Sequence, residues 1–398
     1  MYRALDCQGF AGGFTLGMVQ AGFTLVGKRE MKGGFGVANC EANRHLLGNA
    51  WQSESRDPEG WTPTAADVVF GNPPCSGFSV MSARDFRGAD SKINHCMWSF
   101  VDLAARVRPT IAVFESVGNA YTSESGQDLM RRLRLRLQER TGDAWCLYHV
   151  RHNAIALGGA AVRRRYFWLA SRVGFGVERP TLTQFPLLND VIGDLANLPQ
   201  TWQAQPYRAP ASWWSTTRRS RSGVVDGHRG LDNPLTRRIR DLLHGVEWSP
   251  GMAIGAVAQR YWNTHGKLPD SWASTEEKIV KNDFFMGFTT PVRWHGDRYG
   301  RVVTGGGLHN IIHPWLDRTV THREVARILG FPDDWRILPL QKVSGLNMTW
   351  GKGITVDCGR WIGGWIRAAL DGHPGSFTGK QLAADEFDID VTNDYVKL

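Results

Sequence analysis

The sequence predicts an α/β fold in which a doubly wound, mostly parallel sheet carries a second, smaller domain. Three observations support this prediction. Short apolar runs alternate with helix-like stretches over residues 1–171, a glycine-rich turn follows the first run, and the composition changes after residue 171. Such alternation is typical of parallel sheets covered by helices. Ligands bind such sheets at the carboxyl ends of the strands, so functional side chains are expected there.

The predicted elements of the first part follow from these runs. The strands are predicted at Tyr2–Asp6, Leu25–Glu30, Asp67–Gly71, Ile111–Glu115 and Tyr166–Ala170. The helices between them include Gly12–Ala21, Cys96–Val107 and Gly126–Thr141. Farther along, residues 320–329 have a helical pattern that stops at a Gly-Phe-Pro sequence. The acidic tail after residue 371 is expected to be loosely ordered.

Length and composition indicate more than one domain. The 398 residues are too many for one compact core. Trp, Arg, Ser and Pro become frequent between residues 172 and 300, where the periodicity weakens. We therefore predict three parts, residues 1–171, 172–335 and 336–398, with the third returning to the first.

Charge and cysteine usage limit the class of protein. The formal net charge of +9 fits a nucleic-acid partner but also ordinary variation in surface charge. The six cysteines are scattered, without the spacing of a metal site or a disulfide framework. No signal peptide and no membrane span are indicated, so a cytoplasmic location without membrane association is expected.

Two loops at predicted strand ends carry candidate functional groups. The turn from Asp6 to Gly13 allows the backbone to approach a ligand, and Glu30 at the next strand end can accept hydrogen bonds from a ribose. In isolation, an ordinary glycine-rich turn explains this pattern equally well. In the second loop, 71–79, two prolines fix the backbone and Cys75 follows at the tip, and a thiolate is the nucleophile in cysteine chemistry. Its alternative is a small buried cysteine in a turn.

Charged side chains follow at two further strands. Glu115 ends an apolar strand and can exchange a proton if its pKa is raised, although a solvated salt bridge is the plainer alternative. Arg163 and Arg165 share one face of a strand, where two guanidinium groups suit a phosphate or a base carbonyl. Their alternative is a solvated basic edge.

In this order, the motifs resemble the C5-cytosine DNA methyltransferase family across nearly the whole chain. Pro73-Pro74-Cys75 is similar to the family's nucleophile loop, Glu115-Ser116-Val117 to its Glu-Asn-Val motif, and the paired arginines to its Gln-x-Arg-x-Arg motif. Residues 313–333 resemble the motif that ends the target-recognition domain, and 351–354 the last cofactor motif. Together with the first glycine-rich turn, these are six matches in the family's order, which is a specific signal.

The resemblance implies a class I, Rossmann-like methyltransferase that uses S-adenosylmethionine and acts on double-stranded DNA as a monomer. Residues 1–171 would form the catalytic and cofactor-binding domain, and 172–335 the target-recognition domain. Cys75 would add to C6 of a flipped cytosine, Glu115 would hydrogen-bond N3, and Arg163 and Arg165 would hold the base carbonyl or a phosphate. No metal ion is expected.

The resemblance also implies two sets of contact residues. Those expected at the cofactor are Asp6, Gln8, Gly9, Phe10, Gly12, Gly13, Glu30, Asn72, Pro73, Lys352, Gly353 and Ile354. Those expected at DNA are Ser79, Arg218, Arg219 and Arg221. The arginines at 237, 238 and 240 fit either phosphate contacts or a solvated helix face.

The chain departs from the family pattern near the expected pocket. Gln8 replaces a Phe, Ser116 an Asn and Ala161 a Gln, and Phe10 stands where Gly is usual. Lys352 replaces an Asn that lies beside the cofactor's sulfonium group. An ammonium about 4 Å from a sulfonium is repelled by about 4 kcal/mol at an effective dielectric near 20. Solvent exposure, a carboxylate partner or a carboxylated cofactor, carboxy-S-adenosylmethionine, each relieves this repulsion.

Other functions remain open. Asn72-Pro73-Pro74 resembles the loop of amino-methyltransferases, but that chemistry does not need Cys75. A transfer-RNA cytosine methyltransferase shares the scaffold, and the long stretch between Ala170 and Arg301 favours a DNA-reading domain instead. A catalytically silent DNA-binding homologue would not need its nucleophile and paired arginines intact.

Overall fold

The structure is a computed structural model that describes residues 1–29, 36–53, 64–78, 88–182, 184–197, 234–244, 246–277, 291–304, 311–336 and 350–392. The chain forms two compact units. The first unit comprises Met1–Gly159, Arg163–Gln184 and Gly353–Leu398, and the second Ala160–Val162 and Phe185–Lys352. These boundaries lie farther along the chain than the predicted divisions after 171 and 335, whose functional assignment stays a prediction.

The first unit is built on a mixed sheet. Its strands are β1 (Arg3–Cys7), β2 (Thr24–Arg29), β3 (Gln52–Ser53), β4 (Val68–Gly71), β5 (Ile111–Val117), β6 (Cys146–Asn153), β7 (Arg164–Ser171), β10 (Lys380–Ala383) and β11 (Glu386–Val391). Within the described ranges they are ordered β10-β11-β6-β7-β5-β4-β1-β2-β3. Only β7 and β10 run against the other strands of this sheet. The predicted α/β fold with a mostly parallel sheet is confirmed.

Helices follow the strands of this unit. They are α1 (Gly13–Gln20), α2 (Gly36–Ala42), α3 (Arg44–Leu47), α4 (His95–Val107), α5 (Asn119–Thr122), α6 (Glu124–Thr141) and α11 (Val356–Leu370). The three predicted helices correspond to α1, α4 and α6 within two residues at each end. Ser123 caps α6 by accepting from the Gly126 amide, and Gly142 ends it in a left-handed conformation.

The strands at the centre of the sheet are buried on both faces. All residues of β4 are buried, and so are the first six of β5, as their continuous apolar runs predict. Helix α11, from the far end of the sequence, packs against α1. A Cβ on Gly17 would lie 2.5 Å from the Arg360 nitrogen, so only glycine permits this approach.

The acidic tail differs from its prediction. Residues 380–391 form β10 and β11, and β11 pairs in parallel with β6 from Glu386↔Leu147 to Val391↔His152. The expectation of a loosely ordered tail is therefore wrong for this segment. Its acidic residues face arginines and a histidine of the first unit: Arg151 pairs with Asp388 at 2.9 Å, and His149 with Glu386 at 2.7 Å.

The second unit has a smaller core. Its described elements are α7 (Leu188–Ile192), α8 (Pro234–Leu242), α9 (Ile254–His265), α10 (His322–Ile328) and the parallel pair β8 (Val292–Arg293) and β9 (Ile311–Ile312). Trp248 and Trp272 lie in the core between α8 and α9. The predicted helix over 320–329 is confirmed as α10, which Thr321 and Glu324 begin with a capping box. In the described ranges, every helix is too short or too polar to cross a membrane.

Candidate active site

The glycine-rich loop after β1 has an unusual backbone. Gln8 and Phe10 adopt positive φ angles of 70° and 48°, which non-glycine residues rarely do. The Asn39 amide donates to the Phe10 carbonyl at 2.8 Å and holds the loop in place. A Cβ on Gly9 would lie 2.6 Å from both Asp6 Oδ2 and Lys28 Nζ, so this position requires glycine. The loop is therefore a fixed backbone cradle.

A buried ion pair packs against this loop beside Gly9. Lys28 and Asp6 are fully buried neighbours on β2 and β1, and the ammonium contacts Asp6 Oδ2, as does the Thr15 hydroxyl. Two acceptors at the loop, Asp6 Oδ1 and Gln8 Oε1, are buried without a hydrogen-bond donor among the described residues. Buried acceptors of this kind require a donor, so the loop fits a ligand that brings N–H or O–H groups.

The second loop places Cys75 next to this cradle. It begins after β4, where a Cβ on Gly71 would lie 1.9 Å from the Cys7 carbonyl oxygen. Cys75 starts the short 3₁₀ turn Ser76–Phe78 by accepting from the Phe78 amide at 3.0 Å. Its side chain is half-buried, and burial of the sulfur together with the charge of Glu115 raises the pKa of the Cys75 thiol.

Glu115 lies two residues before the end of β5, and both of its carboxylate oxygens have partners. Its Oε1 forms an ion pair with Arg165 Nε at 2.9 Å, and its Oε2 accepts from the Asn72 amide. Arg165 lies opposite Val117 across the antiparallel β5–β7 pair, on the same face as Glu115. Burial raises the pKa of Glu115, against the opposing effects of Arg165, Arg163 and Asn72. The site thus brings a thiol, a carboxyl group and an arginine together.

Arg163 is buried deeper than Arg165. It is 1% exposed, whereas its neighbour Arg164 is exposed, which agrees with the predicted alternation. Burial and the Arg165 charge lower the pKa of Arg163 to about 9. His152 lies opposite Arg165 on β6, and burial beside both arginines lowers its pKa to about 3. At neutral pH the imidazole is therefore uncharged, and its Nδ1 lies 3.5 Å from the Cys358 sulfur.

The structure says less about the other predicted site residues. Gly353 and Ile354 are buried in the first unit, whereas Lys352 is exposed and belongs to the second. Arg238 stacks on Trp272 at 4.0 Å, which is a packing role, and Arg237 and Arg240 are exposed. The predicted contacts Glu30, Ser79, Arg218, Arg219 and Arg221 lie outside the described residues.

The sequence assigned no role to two residues of this site. Lys28 and His152 lie inside strands. A charged or titratable side chain at such a position indicates only that it is buried beside a partner. Asn72 was predicted to contact the cofactor, and that contact stays a prediction. Its bond to Glu115 had no sequence signal, because a loop residue's direction cannot be inferred from its position.

Comparisons with known proteins agree with this geometry. The chain is 25% identical over 389 residues to the type II methyltransferase M.XorII of Xanthomonas oryzae, covering 93% of this chain and 85% of the relative. It is 23% identical to M1.HphI of Haemophilus parahaemolyticus over 84% of this chain and 78% of the relative. A solved structure titled a putative DNA modification methyltransferase from an Escherichia coli prophage shares the fold, with a TM-score of 0.59 at 17% identity, covering 93% of this chain and 100% of that one.

A family model also matches most of the chain. The model described as C-5 cytosine-specific DNA methylase matches residues 2–367, which include both loops, Glu115 and the paired arginines. This chain therefore belongs to the C-5 cytosine-specific DNA methylase family.

Proposed function

We propose that this protein transfers a methyl group to C5 of cytosine in double-stranded DNA. The observation that carries the proposal is the grouping of Cys75, Glu115 and Arg165 at one edge of the sheet. Covalent catalysis needs a thiol that can attack a ring carbon, beside a group that shares a proton with the ring. No single residue provides both.

The proposed reaction uses these groups in order. The Cys75 sulfur adds to C6, while Glu115 shares its proton with N3, and this makes C5 nucleophilic. Arg165 fixes the carboxyl group and, with Arg163, faces the base carbonyl. S-adenosylmethionine, when bound, supplies the alkyl group that C5 takes up. A base, for which we propose a water molecule, then takes the C5 proton, the C6–S bond breaks with its electrons returning to sulfur as the thiolate, and the product is released.

The cofactor is assigned to the cradle after β1. Its α-ammonium and ribose hydroxyls are donors of the kind that Asp6 Oδ1 and Gln8 Oε1 lack. Backbone at Gly9, Phe10, Gly12 and Gly13, with Pro73, Gly353 and Ile354, completes the proposed contacts. Glu30 is proposed to bind the ribose.

The second unit and the arginine-rich segment before α8 are proposed to recognise DNA. Reaching C5 requires the base to leave the stack, so the cytosine is proposed to flip. Arg218, Arg219 and Arg221 would contact phosphates, and Ser79 would lie near the flipped base. A monomeric state and a cytoplasmic location stay predictions.

Lys352, which replaces the family's Asn, motivates a second candidate, transfer of a carboxymethyl group from carboxy-S-adenosylmethionine. The side chain is exposed, so solvent relieves the repulsion from a sulfonium as well, and this candidate rests on the replacement alone. An ammonium beside the cofactor's own carboxylate would form a charge-assisted hydrogen bond. The product would be 5-carboxymethylcytosine.

One experiment separates these functions. Duplex DNA and transfer RNA are each incubated with the enzyme and an equimolar mixture of both cofactors, and the nucleosides are analysed by mass spectrometry. We expect 5-methylcytosine in DNA. A carboxymethyl product that Lys352→Asn converts to methyl would establish the second candidate, and modification of transfer RNA alone would contradict the proposed substrate.

A further inference from the structure

Asn72 occupies a position from which it can act on the carboxyl group rather than on the cofactor. It is 2% exposed, follows β4 directly, and its backbone amide donates to the Cys7 carbonyl at 3.3 Å. The side-chain amide donates to Glu115 Oε2, and Glu115 is itself 1% exposed. Both partners are therefore fixed by the sheet, one at the end of β4 and one on the adjacent β5.

The carboxyl group keeps room for a substrate. A carboxylate has about four acceptor positions, two on each oxygen. Among the described residues, Asn72 takes one on Oε2 and Arg165 faces Oε1. Acceptor positions therefore remain on both oxygens, since Oε1 accepts no hydrogen bond among the described residues, and we assign them to the ring nitrogen and the exocyclic amine of a cytosine. The two protein groups thus fix the plane of the carboxyl group, and Arg163 and the Cys75 thiol are the other titratable groups that interact with it.

We propose that Asn72 is a positioning residue that orients Glu115 and sets the pH at which Glu115 gives up its proton. This inference rests on the proposed function. The direction of the effect follows from the donor. An N–H group that donates to a carboxylate stabilises the charged form, so removing it favours the protonated form. Glu115 would then keep its proton to higher pH, but in a less defined orientation.

The test is the pH dependence of kcat at saturating DNA and cofactor. Activity that requires protonated Glu115 falls on the alkaline side as the carboxyl group ionises. We expect Asn72→Ala to move this alkaline limb up by about one pH unit, which corresponds to the strength of a hydrogen bond to a charged group. We also expect kcat at the optimum to fall about 10-fold, with KM for the cofactor unchanged.

A second variant and a control distinguish an effect on Glu115 from an effect on folding. Asn72→Asp keeps the shape of the side chain but replaces the donor with a second carboxyl group, so the alkaline limb should move further in the same direction. Thr141→Val removes another buried hydrogen bond, from Trp145 Nε1 at 3.0 Å, at the far end of α6. It should lower thermal stability while the alkaline limb stays in place.

The outcomes are distinct. If the wild type modifies no cytosine, or Glu115→Gln is fully active, the proposed function fails. If the wild type is active and Glu115→Gln is not, but the alkaline limb stays in place in the Asn72 variants, this inference is overturned. A raised KM for the cofactor in those variants would then assign Asn72 to the cofactor site.

Discussion

At the scale of single residues, the carboxyl group of Glu115 opposes the ionisation of the Cys75 thiol. Burial raises the pKa of Cys75, and the charge of Glu115 adds to this, while Arg165 acts in the other direction. Only the thiolate is a nucleophile. Protonation of Glu115 therefore serves both groups, because it supplies the proton for the ring and removes a negative charge beside the sulfur.

This opposition predicts slow alkylation of Cys75 in the free enzyme. Because its pKa is raised, the thiol is mostly protonated at pH 7, and the rate with iodoacetamide should keep rising above about pH 8.5. Glu115→Gln removes the charge, so the same rise should occur at lower pH. Peptide mass spectrometry resolves Cys75 from Cys146, whose half-buried thiol is an internal control that should not change. Identical profiles in the two proteins would refute the coupling.

The candidate site could be predicted from the sequence only in part. Cys75 and Glu115 follow apolar runs, and parallel strands bring such ends to one edge, so their proximity was expected. The hydrogen bond from Asn72 to Glu115 and the position of His152 could not be predicted, because they depend on side-chain direction and on the antiparallel register of β6 with β7. That register is a long-range property that local patterns do not contain.

At the scale of elements, strand β11 shows why the tail was mispredicted. Its alternation of Phe387, Ile389 and Val391 with acidic residues is a strand signal, but the net negative charge indicated a solvated tail. The structure compensates the charge with partners on neighbouring elements. Glu386 contacts His149 Nε2 at 2.7 Å and Arg131 Nε at 3.0 Å, and these contacts lower its pKa to about 2.

We predict that Glu386→Gln destabilises the protein by about 1–3 kcal/mol at pH 7, less than for a fully buried pair because Arg131 is half exposed. A depressed pKa means that the contribution is complete above the ordinary value of 4.5 and is lost as the pH falls through about 2. Urea unfolding of both proteins at several pH values measures the difference.

The control is Asp128→Asn, which removes an exposed pair on α6 and should lower the free energy of unfolding by less than about 0.5 kcal/mol. A pH-independent difference for Glu386→Gln would contradict the assignment.

At the scale of the whole molecule, the chain returns to the first unit twice. Arg163–Gln184 and Gly353–Leu398 both belong to the unit that Met1–Gly159 begins. The sequence predicted the second return from the motif at 351–354 and placed β7 in the first part, but it did not predict that Val177, beyond β7, would pair with Phe377. Pairing over such distances has no local signature, and this is why the predicted boundaries lie earlier than the structural ones.

The central claim is that Cys75 forms a covalent bond to cytosine, and trapping on DNA tests it most directly. The enzyme and its cofactor are incubated with duplex DNA in which 5-fluorocytosine replaces cytosine. Fluorine takes the place of the C5 proton, and because a base cannot remove it, the sulfur cannot leave and the adduct persists. We expect a complex that survives denaturant, with the DNA attached to the peptide that contains Cys75. Cys75→Ser should still bind the DNA without forming this complex. An adduct in the Cys75→Ser protein, or one attached to another cysteine of the wild type, would contradict the account.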